Sequence, residues 1–191
     1  MPRAGLTRDR IAEEAEVVAD EVGLERVTLA AVAERLGVRM PSLYKHIESL
    51  EGLRVAVGER AKTELAAEMA AATVGRAGDD ALLALAHAVR GWARQHPGRY
   101  AATVRAPRDG DTAETAAADS AARVVFDVLR AYGLEGDDAV HATRAFRSAL
   151  HGFVSLEASG GFGLPTDVDA SFEWFVRALA SGLDRAAAPA P

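Results

Sequence analysis

Cysteine is absent from this 191-residue chain, and its absence excludes several kinds of chemistry at once. Disulfide bonds, thiolate metal sites and cysteine nucleophiles all require the residue, and a chain without it is compatible with a reducing cytoplasm. The sequence also has no apolar run of the roughly 18 residues that a membrane-spanning helix needs, and residues 1–25 are charged rather than signal-like. We therefore expect a cytoplasmic protein with no membrane partner.

Patterns typical of enzymes are lacking as well. The glycine-rich run at residues 160–163 has neither a strand before it nor Lys-Ser/Thr after it, so a helix-ending turn explains it better than a phosphate loop. Ser148, His151 and Ser155 share a helical spacing, but no nucleophile elbow or orienting carboxylate accompanies them. We predict no enzymatic activity, no cofactor and no metal site.

The chain does have a hydrophobic content of 49%, which is ample for a buried core, and helical periodicity along most of its length. No strand-type alternation lasts long enough to compete, so the periodicity predicts an all-α fold. Helices are predicted at about residues 7–21, 29–36, 41–47, 50–73, 79–96, 97–104, 112–132, 137–159 and 169–185. We assign residues 1–48 to an N-terminal domain, residues 49–186 to a second helical domain and residues 187–191 to a flexible tail.

A helix-turn-helix pattern, TLAAVAERLGVRMPSLYKHI, is the most specific feature of the sequence. It begins with Thr28, a natural N-cap, and its first helix ends at Gly37 because glycine tolerates a positive φ. A second helix starts at once, since Pro41 suits a first turn, and Leu43 and Ile47 point back at the first helix. Two helices joined by a tight turn are the geometry with which many proteins place a helix in the DNA major groove.

This segment resembles the DNA-binding region of the TetR family of bacterial transcription regulators. The residues that match the family pattern are Thr28, Val32, Ala33, Leu36, Gly37, Val38, Leu43, Tyr44, His46 and Ile47. Farther along, the tripeptide at 150–152, Leu-His-Gly, is similar to the Trp-His-Gly motif of a TetR subgroup, with Leu in place of Trp. The resemblance implies a three-helix DNA-binding domain that a long helix joins to a helical domain for ligand binding and dimerisation.

The candidate DNA-binding residues lie in or beside the helix-turn-helix, and they are Thr28, Arg39, Met40, Ser42, Tyr44, Lys45 and His46. Arg39 and Lys45 supply positive charge for phosphates or a guanine edge. The resemblance places a phosphate contact at Tyr44, and the alternative for this residue is packing against the domain. Met40 can read only apolar features such as a thymine methyl, because a thioether makes no bidentate hydrogen bonds.

The net charge of −6 does not oppose DNA binding once it is divided along the chain. Residues 1–62 hold 10 Lys+Arg against 11 Asp+Glu, whereas residues 63–191 hold 12 against 17. Most of the acidic excess therefore belongs to the second domain. The positions of the charges matter more than the net charge, since salt limits the range of a charge–charge interaction to about 8–10 Å.

The resemblance also implies a mostly apolar ligand cavity among the middle helices of the second domain. Its candidate residues are His87, Trp92, Tyr100, Phe126, Phe146 and Arg147. The alternative for each aromatic residue is plain core. Burying His87 or Arg147 would require a polar partner.

The candidate dimer interface is formed by Gly152, Phe153, Leu156, Phe172, Phe175, Val176 and Leu179. A glycine in mid-helix costs about 1 kcal/mol relative to alanine, so Gly152 indicates a close approach of another helix. The apolar residues belong to two helices that can pack with their symmetry mates as a four-helix bundle. The alternative is that these residues pack only within one chain.

Together these features predict a ligand-responsive homodimeric repressor. It would bind a pseudo-palindromic operator in double-stranded DNA and leave it when an unidentified small-molecule effector binds. Two other classes of function stay open at this point. One is a dimeric small-molecule-binding or adaptor protein without specific DNA recognition, and the other is an enzyme built on a helical scaffold.

Overall fold

The computed structural model describes residues 5–187, and all regular structure within them is helical. The helices are α1 Arg8–Val22, α2 Leu29–Leu36, α3 Met40–Leu43, α4 Leu50–Thr73, α5 Gly78–Gln95, α6 Pro97–Thr103, α7 Thr112–Leu129, α8 Gly136–Ala158 and α9 Val168–Ala187. Short 3-10 turns follow α1 and α7. The predicted all-α fold is confirmed, whereas residues 188–191 of the predicted tail lie outside the described residues.

The described chain divides into two compact units. The head unit comprises residues 5–64 and 95–119, and the body unit comprises residues 65–94 and 120–187. The head unit is thus larger than the predicted N-terminal domain, because it also takes in the first part of α4, all of α6 and the start of α7. The functional boundary after residue 48 stays a prediction.

Local signals in the sequence set the limits of the first two helices. The Thr7 hydroxyl accepts a hydrogen bond from the Arg10 N–H at 3.2 Å, and the Thr28 hydroxyl accepts one from the Ala31 N–H at 3.2 Å. Gly37 ends α2 with φ 65°, in the left-handed region that favours glycine. The predicted Thr28 cap and Gly37 stop are therefore present, and they begin and end α2 where the helix-turn-helix pattern requires.

The recognition segment differs from its prediction. In place of a helix over 41–47, α3 covers Met40–Leu43 and a hydrogen-bonded turn follows. The N–H groups of His46 and Ile47 both donate to the Leu43 carbonyl at 2.9 Å. Leu43 and Ile47 are buried in the core of the head unit, as their spacing predicts. Packing of these two side chains, rather than helix length, fixes the segment to the unit.

Helix α6 lies directly against α1 within the head unit. A Cβ added at Gly98 would be 1.9 Å from the Ala19 carbonyl oxygen, so only glycine allows this approach of two backbones. The next residue, Arg99, donates its backbone N–H and its Nε to the two carboxylate oxygens of Asp20 at 2.9 and 2.7 Å. Its Nη1 also donates to Glu64 of α4 at 2.8 Å. Helices α1, α4 and α6 are thereby joined at one place.

The body unit contains the larger side chains of the protein. Its buried hydrophobic residues include Leu82, Leu85, Trp92, Leu129, Tyr132, Phe146, Leu150, Phe172 and Val176. The Tyr132 hydroxyl donates to Asp79 at the start of α5 at 2.7 Å. Burial, together with this carboxylate, raises the pKa of Tyr132 far above its ordinary value, so the phenol stays protonated.

Candidate nucleic-acid interface

The predicted recognition residues divide into an exposed set and a set that packs on the head unit. Arg39, Tyr44, Lys45 and His46 are exposed, and the Tyr44 ring is 54% exposed although it is a large aromatic. This exposure supports the phosphate-contact interpretation of Tyr44 over the packing alternative, because a packing residue would be covered. Their exposure leaves these four side chains accessible to a bound duplex.

Met40, Ser42 and Thr28 have other surroundings. Met40 is half-buried and packs against the core of the head unit, and its expected contact with thymine methyl groups stays a prediction. Ser42 is also half-buried, at the third position of the short α3. Thr28 is exposed, but its hydroxyl already caps α2. The hydroxyl accepts that bond through a lone pair, so its O–H can still donate to a phosphate oxygen.

Most arginines of the head unit are neutralised by carboxylates. Arg35 binds Glu14 and Glu21 at 2.5 and 2.8 Å, and Arg60 binds Glu16 at 2.9 Å. In the same way Arg8 binds Glu59 at 2.9 Å, and Arg99 binds Asp20 and Glu64. These pairs join helices of the unit, and their cations are committed to the fold.

Four cations of the head unit carry no carboxylate partner among residues 5–187, and they are Arg10, Arg26, Arg39 and Lys45. Arg26 donates instead to the Val22 carbonyl. Two of them, Arg39 and Lys45, flank the recognition segment on either side of Tyr44. Because their charge is not neutralised within the protein, it is available to the phosphates of a duplex. The sequence identified Arg39 and Lys45, but only the structure distinguishes them from the paired arginines nearby.

One acidic group of the head unit is buried near these pairs. Burial raises the pKa of Glu16 above the ordinary glutamate value of 4.5, and the hydrogen bond from Arg60 opposes this rise. Glu16 lies on α1 and Arg60 on α4. The pair therefore holds two helices together, and the charge of Arg60 is neutralised by Glu16.

The candidate ligand residues are spread over the structure. Trp92 and Phe146 are buried and Phe126 is half-buried in the body unit, whereas Tyr100 belongs to α6 of the head unit. His87 and Arg147, for which a buried location would require a polar partner, are both exposed, so that cost does not arise. The His87 ring meets Phe172 edge to face, with centroids 5.1 Å apart. Ligand binding by these residues stays a prediction.

The candidate dimer residues also separate by exposure. Phe172 and Val176 are 0% and 1% exposed, so they are core residues of the protomer, and their assignment to the interface is corrected. Leu156 is 52% exposed. Gly152, Phe153, Phe175 and Leu179 are half-buried. A Cβ at Gly152 would meet nothing within 4 Å, so no close approach inside the protomer explains this glycine.

Trp174 is the residue that sequence reasoning missed. It is 74% exposed on α9, two residues after the buried Phe172 and next to Phe175 in the sequence. The signal was its position off the stripe of residues 172, 175, 176 and 179, because an aromatic outside a buried helical stripe must point elsewhere. Leu164, in the segment between α8 and α9, is 83% exposed. The body unit thus has three large apolar side chains that are mostly in solvent, those of Leu156, Leu164 and Trp174.

Comparison with known proteins agrees with this geometry. A family model described as "Tetracyclin repressor-like, C-terminal domain" matches residues 82–179. The HTH-type transcriptional regulator Rv0681 of Mycobacterium tuberculosis is 45% identical over 183 residues, covering 95% of this chain and 84% of that protein. The HTH-type transcriptional regulator YobS of Bacillus subtilis is 38% identical, covering 95% of each chain.

Solved structures show the same fold. The regulatory protein SCO4313 is 28% identical with a TM-score of 0.71, covering 90% of this chain and 94% of that one. Apo ActR from Streptomyces coelicolor is 21% identical with a TM-score of 0.74, covering 96% and 97% of the two chains. At that identity the second likeness concerns the fold alone. No helix among residues 5–187 is long and apolar enough to cross a membrane.

Proposed function

This chain belongs to the TetR family and is a DNA-binding transcription regulator rather than an enzyme, and we propose that it acts as a homodimeric repressor that a small-molecule effector releases from its operator. The observation that carries the proposal is the exposed recognition segment, in which Tyr44 lies between the two unpaired cations Arg39 and Lys45. A hydroxyl and two cations on one short segment suit successive phosphates of a duplex. Arg39 also has the fork that guanine recognition uses.

The uncovered apolar side chains of the body unit support dimerisation. Leu156 and Trp174 belong to α8 and α9 and are more than half exposed. Burying such residues against a second copy of the chain would remove apolar area from water at about 25 cal/mol per Å². Two head units related by a twofold axis would then reach successive major grooves about 34–36 Å apart, which requires a pseudo-palindromic operator.

Release by an effector needs a connection between the units. The chain passes between them after residues 64, 94 and 119, and each of these points lies inside a helix, namely α4, α5 and α7. Because helices transmit displacement along their axes, an effector that moves the body helices acts on the head unit through these passages. The coupling expected for such a system is about 1–3 kcal/mol per site.

The test is a mobility-shift titration with duplex DNA from the region upstream of the protein's own gene. We expect the double variant Tyr44→Phe, Lys45→Ala to bind at least tenfold more weakly and to lower the slope of log K against log[salt] by about one. Arg130→Ala is the control, since Arg130 is an exposed cation of the body unit and should leave binding unchanged.

Two results would contradict the proposal. Unchanged affinity and salt slope in the double variant would show that the recognition segment does not contact DNA. Weak, salt-sensitive and sequence-independent binding by the unaltered protein would favour the adaptor class, which keeps a dimeric body but does not recognise an operator.

A further inference from the structure

A single arginine ties together three helices of the body unit. Arg90 of α5 is 5% exposed, and its Nε and Nη2 donate to the two carboxylate oxygens of Glu157 on α8 at 2.8 and 2.5 Å. Its Nη2 also lies 2.6 Å from Oδ1 of Asp169, in the first turn of α9. We call Arg90, Glu157 and Asp169 the Arg90 clamp. One guanidinium therefore holds the end of α8 and the beginning of α9.

The Arg90 clamp also has an apolar side. The guanidinium carbon lies 4.6 Å from the ring centre of Phe172 and 5.7 Å from that of Phe153. The Phe153 ring stacks on Phe175 with centroids 5.3 Å apart. A cation above aromatic faces is attracted by their quadrupoles, most strongly where water is excluded. The guanidinium thus orders aromatic residues of both α8 and α9.

Removal of the guanidinium would leave two like charges together. The hydrogen bond from Arg90 lowers the pKa of Glu157, so this carboxylate is charged at neutral pH, and the nearby Asp169 opposes that effect. Arg94 is farther away, 3.9 Å from Glu157, and its side chain is mostly exposed. Without Arg90 the two carboxylates would repel each other across the segment that joins α8 to α9.

The Arg90 clamp lies close in the sequence to two exposed apolar side chains, Leu156 and Trp174. Leu156 immediately precedes Glu157, and Trp174 lies five residues after Asp169 on α9. The separation of Leu156 from Trp174 thus depends on how the last turn of α8 and the first turn of α9 are held. Arginine suits this task because its planar fork binds one carboxylate through two donors and still reaches a second.

We propose that Arg90 is a positioning residue for dimerisation, which fixes α8 and α9 relative to each other so that Leu156 and Trp174 fit a second copy of the chain. The inference rests on the proposed homodimer and adds the group that shapes its surface. Arg90 itself is buried inside the protomer, so it would act on the dimer through the helices that it holds.

The experiment measures the dimer dissociation constant of the full chain by sedimentation equilibrium, and the thermal midpoint by circular dichroism. Arg90→Met keeps the length and packing of the side chain without its charge, and we expect a dimer at least tenfold weaker in a protein that is still helical. Arg94→Met, on the next turn of the same helix, is the matched control and should leave the constant unchanged. Arg90→Lys keeps the charge but not the planar fork. If Arg90→Met does not fold, Arg90→Lys replaces it in the experiment, and we expect this variant to dimerise more weakly as well.

A triple variant separates positioning from simple charge balance. Arg90→Met combined with Glu157→Gln and Asp169→Asn removes the repulsion, so the thermal midpoint should recover while the dimer stays weak. A triple variant that dimerises like the unaltered protein overturns the inference, and so does an unchanged constant in folded Arg90→Met. Trp174→Glu is measured in parallel. If that variant dimerises normally, the proposed dimer surface is itself wrong, which is distinguishable from a failure of Arg90 alone.

Discussion

The two units of this protein keep different kinds of side chain uncovered. The head unit pairs its arginines with carboxylates, as Arg35 and Arg60 do, and leaves Arg39 and Lys45 unpaired beside the recognition segment. The body unit packs aromatic rings around the buried Arg90 and leaves apolar residues such as Trp174 in solvent. The difference teaches where each unit binds, because unpaired charge suits a polyanion and uncovered apolar area suits a protein surface.

The units also differ in how closely their backbones approach at glycine. Gly98 of the head unit brings α6 into contact with α1, and a Cβ there would meet the Ala19 carbonyl oxygen. Gly91 and Gly152 of the body unit have no neighbour within 4 Å of such a Cβ. Of these three glycines, only Gly98 is required for helix packing within its unit.

The largest effect is expected from Gly98→Ala, which would force α1 and α6 apart. We predict a loss of about 3 kcal/mol or more in the free energy of unfolding, because the atoms that the new Cβ would meet belong to the backbone of Ala19 and Asp20 and cannot rotate away. Gly91→Ala in α5 is the control, and it should be neutral or stabilise by up to about 1 kcal/mol, since alanine is the better helix former. Urea unfolding measures the change in the free energy of unfolding for both variants. Equal changes would show that the two units do not differ in their need for glycine.

A smaller effect, confined to assembly, is expected from Trp174→Glu. The side chain is mostly in solvent within the protomer, so its replacement should leave the thermal midpoint of the monomer nearly unchanged and weaken the dimer at least tenfold. Val74→Glu is the control, because Val74 is 78% exposed but lies just after α4 in the chain and belongs to neither α8 nor α9. Sedimentation equilibrium measures the dimer dissociation constant of both variants. An unchanged constant in Trp174→Glu would show that the interface lies elsewhere.

The smallest effect concerns pH, and it has opposite signs in the two units. Burial raises the pKa of Glu16 in the head unit above 4.5, so this residue makes stability fall as pH rises from 4.5 through its folded pKa. Arg90 lowers the pKa of Glu157 in the body unit, so that residue makes stability fall as pH drops from 4.5 through its folded pKa. Each contribution should be on the order of 1 kcal/mol or less.

The variants Glu16→Gln and Glu157→Gln should each remove one of these two dependences. Both tryptophans, Trp92 and Trp174, belong to the body unit, so their fluorescence follows that unit during unfolding. Backbone amide exchange in α1 and α2 follows the head unit. The comparison fails if the two substitutions change the pH profile in the same direction.

Local features of the structure were predictable from the sequence. Thr7 and Thr28 cap their helices as expected, and α4 runs from Leu50 to Thr73 as predicted. Caps and glycine stops depend on neighbours three or four residues away, which a sequence displays directly. Helix α7 begins at Thr112 as predicted, and the side chain of Asp111 accepts the N–H bonds of its first turn.

Features that depend on partners distant in sequence were not predictable. Val176 has a suitable residue type for contact with a second chain, yet it is buried in the core, and Met40 of the recognition segment is half-covered by the core of the head unit. Trp174 has the opposite outcome, since a large aromatic lies in solvent. Periodicity identifies a stripe on a helix but not which other element will cover it.

The sequence by itself determined the helical fold, the helix-turn-helix and the family, because these follow from periodicity, caps and a dense local motif. The tertiary structure decided which cations are free for DNA and which apolar residues are free for a partner. It also brought Arg90, Glu157 and Asp169 together from positions 67 and 79 residues apart. Whether a side chain is free depends on every group packed around it, and chain folding, not chain order, selects those groups.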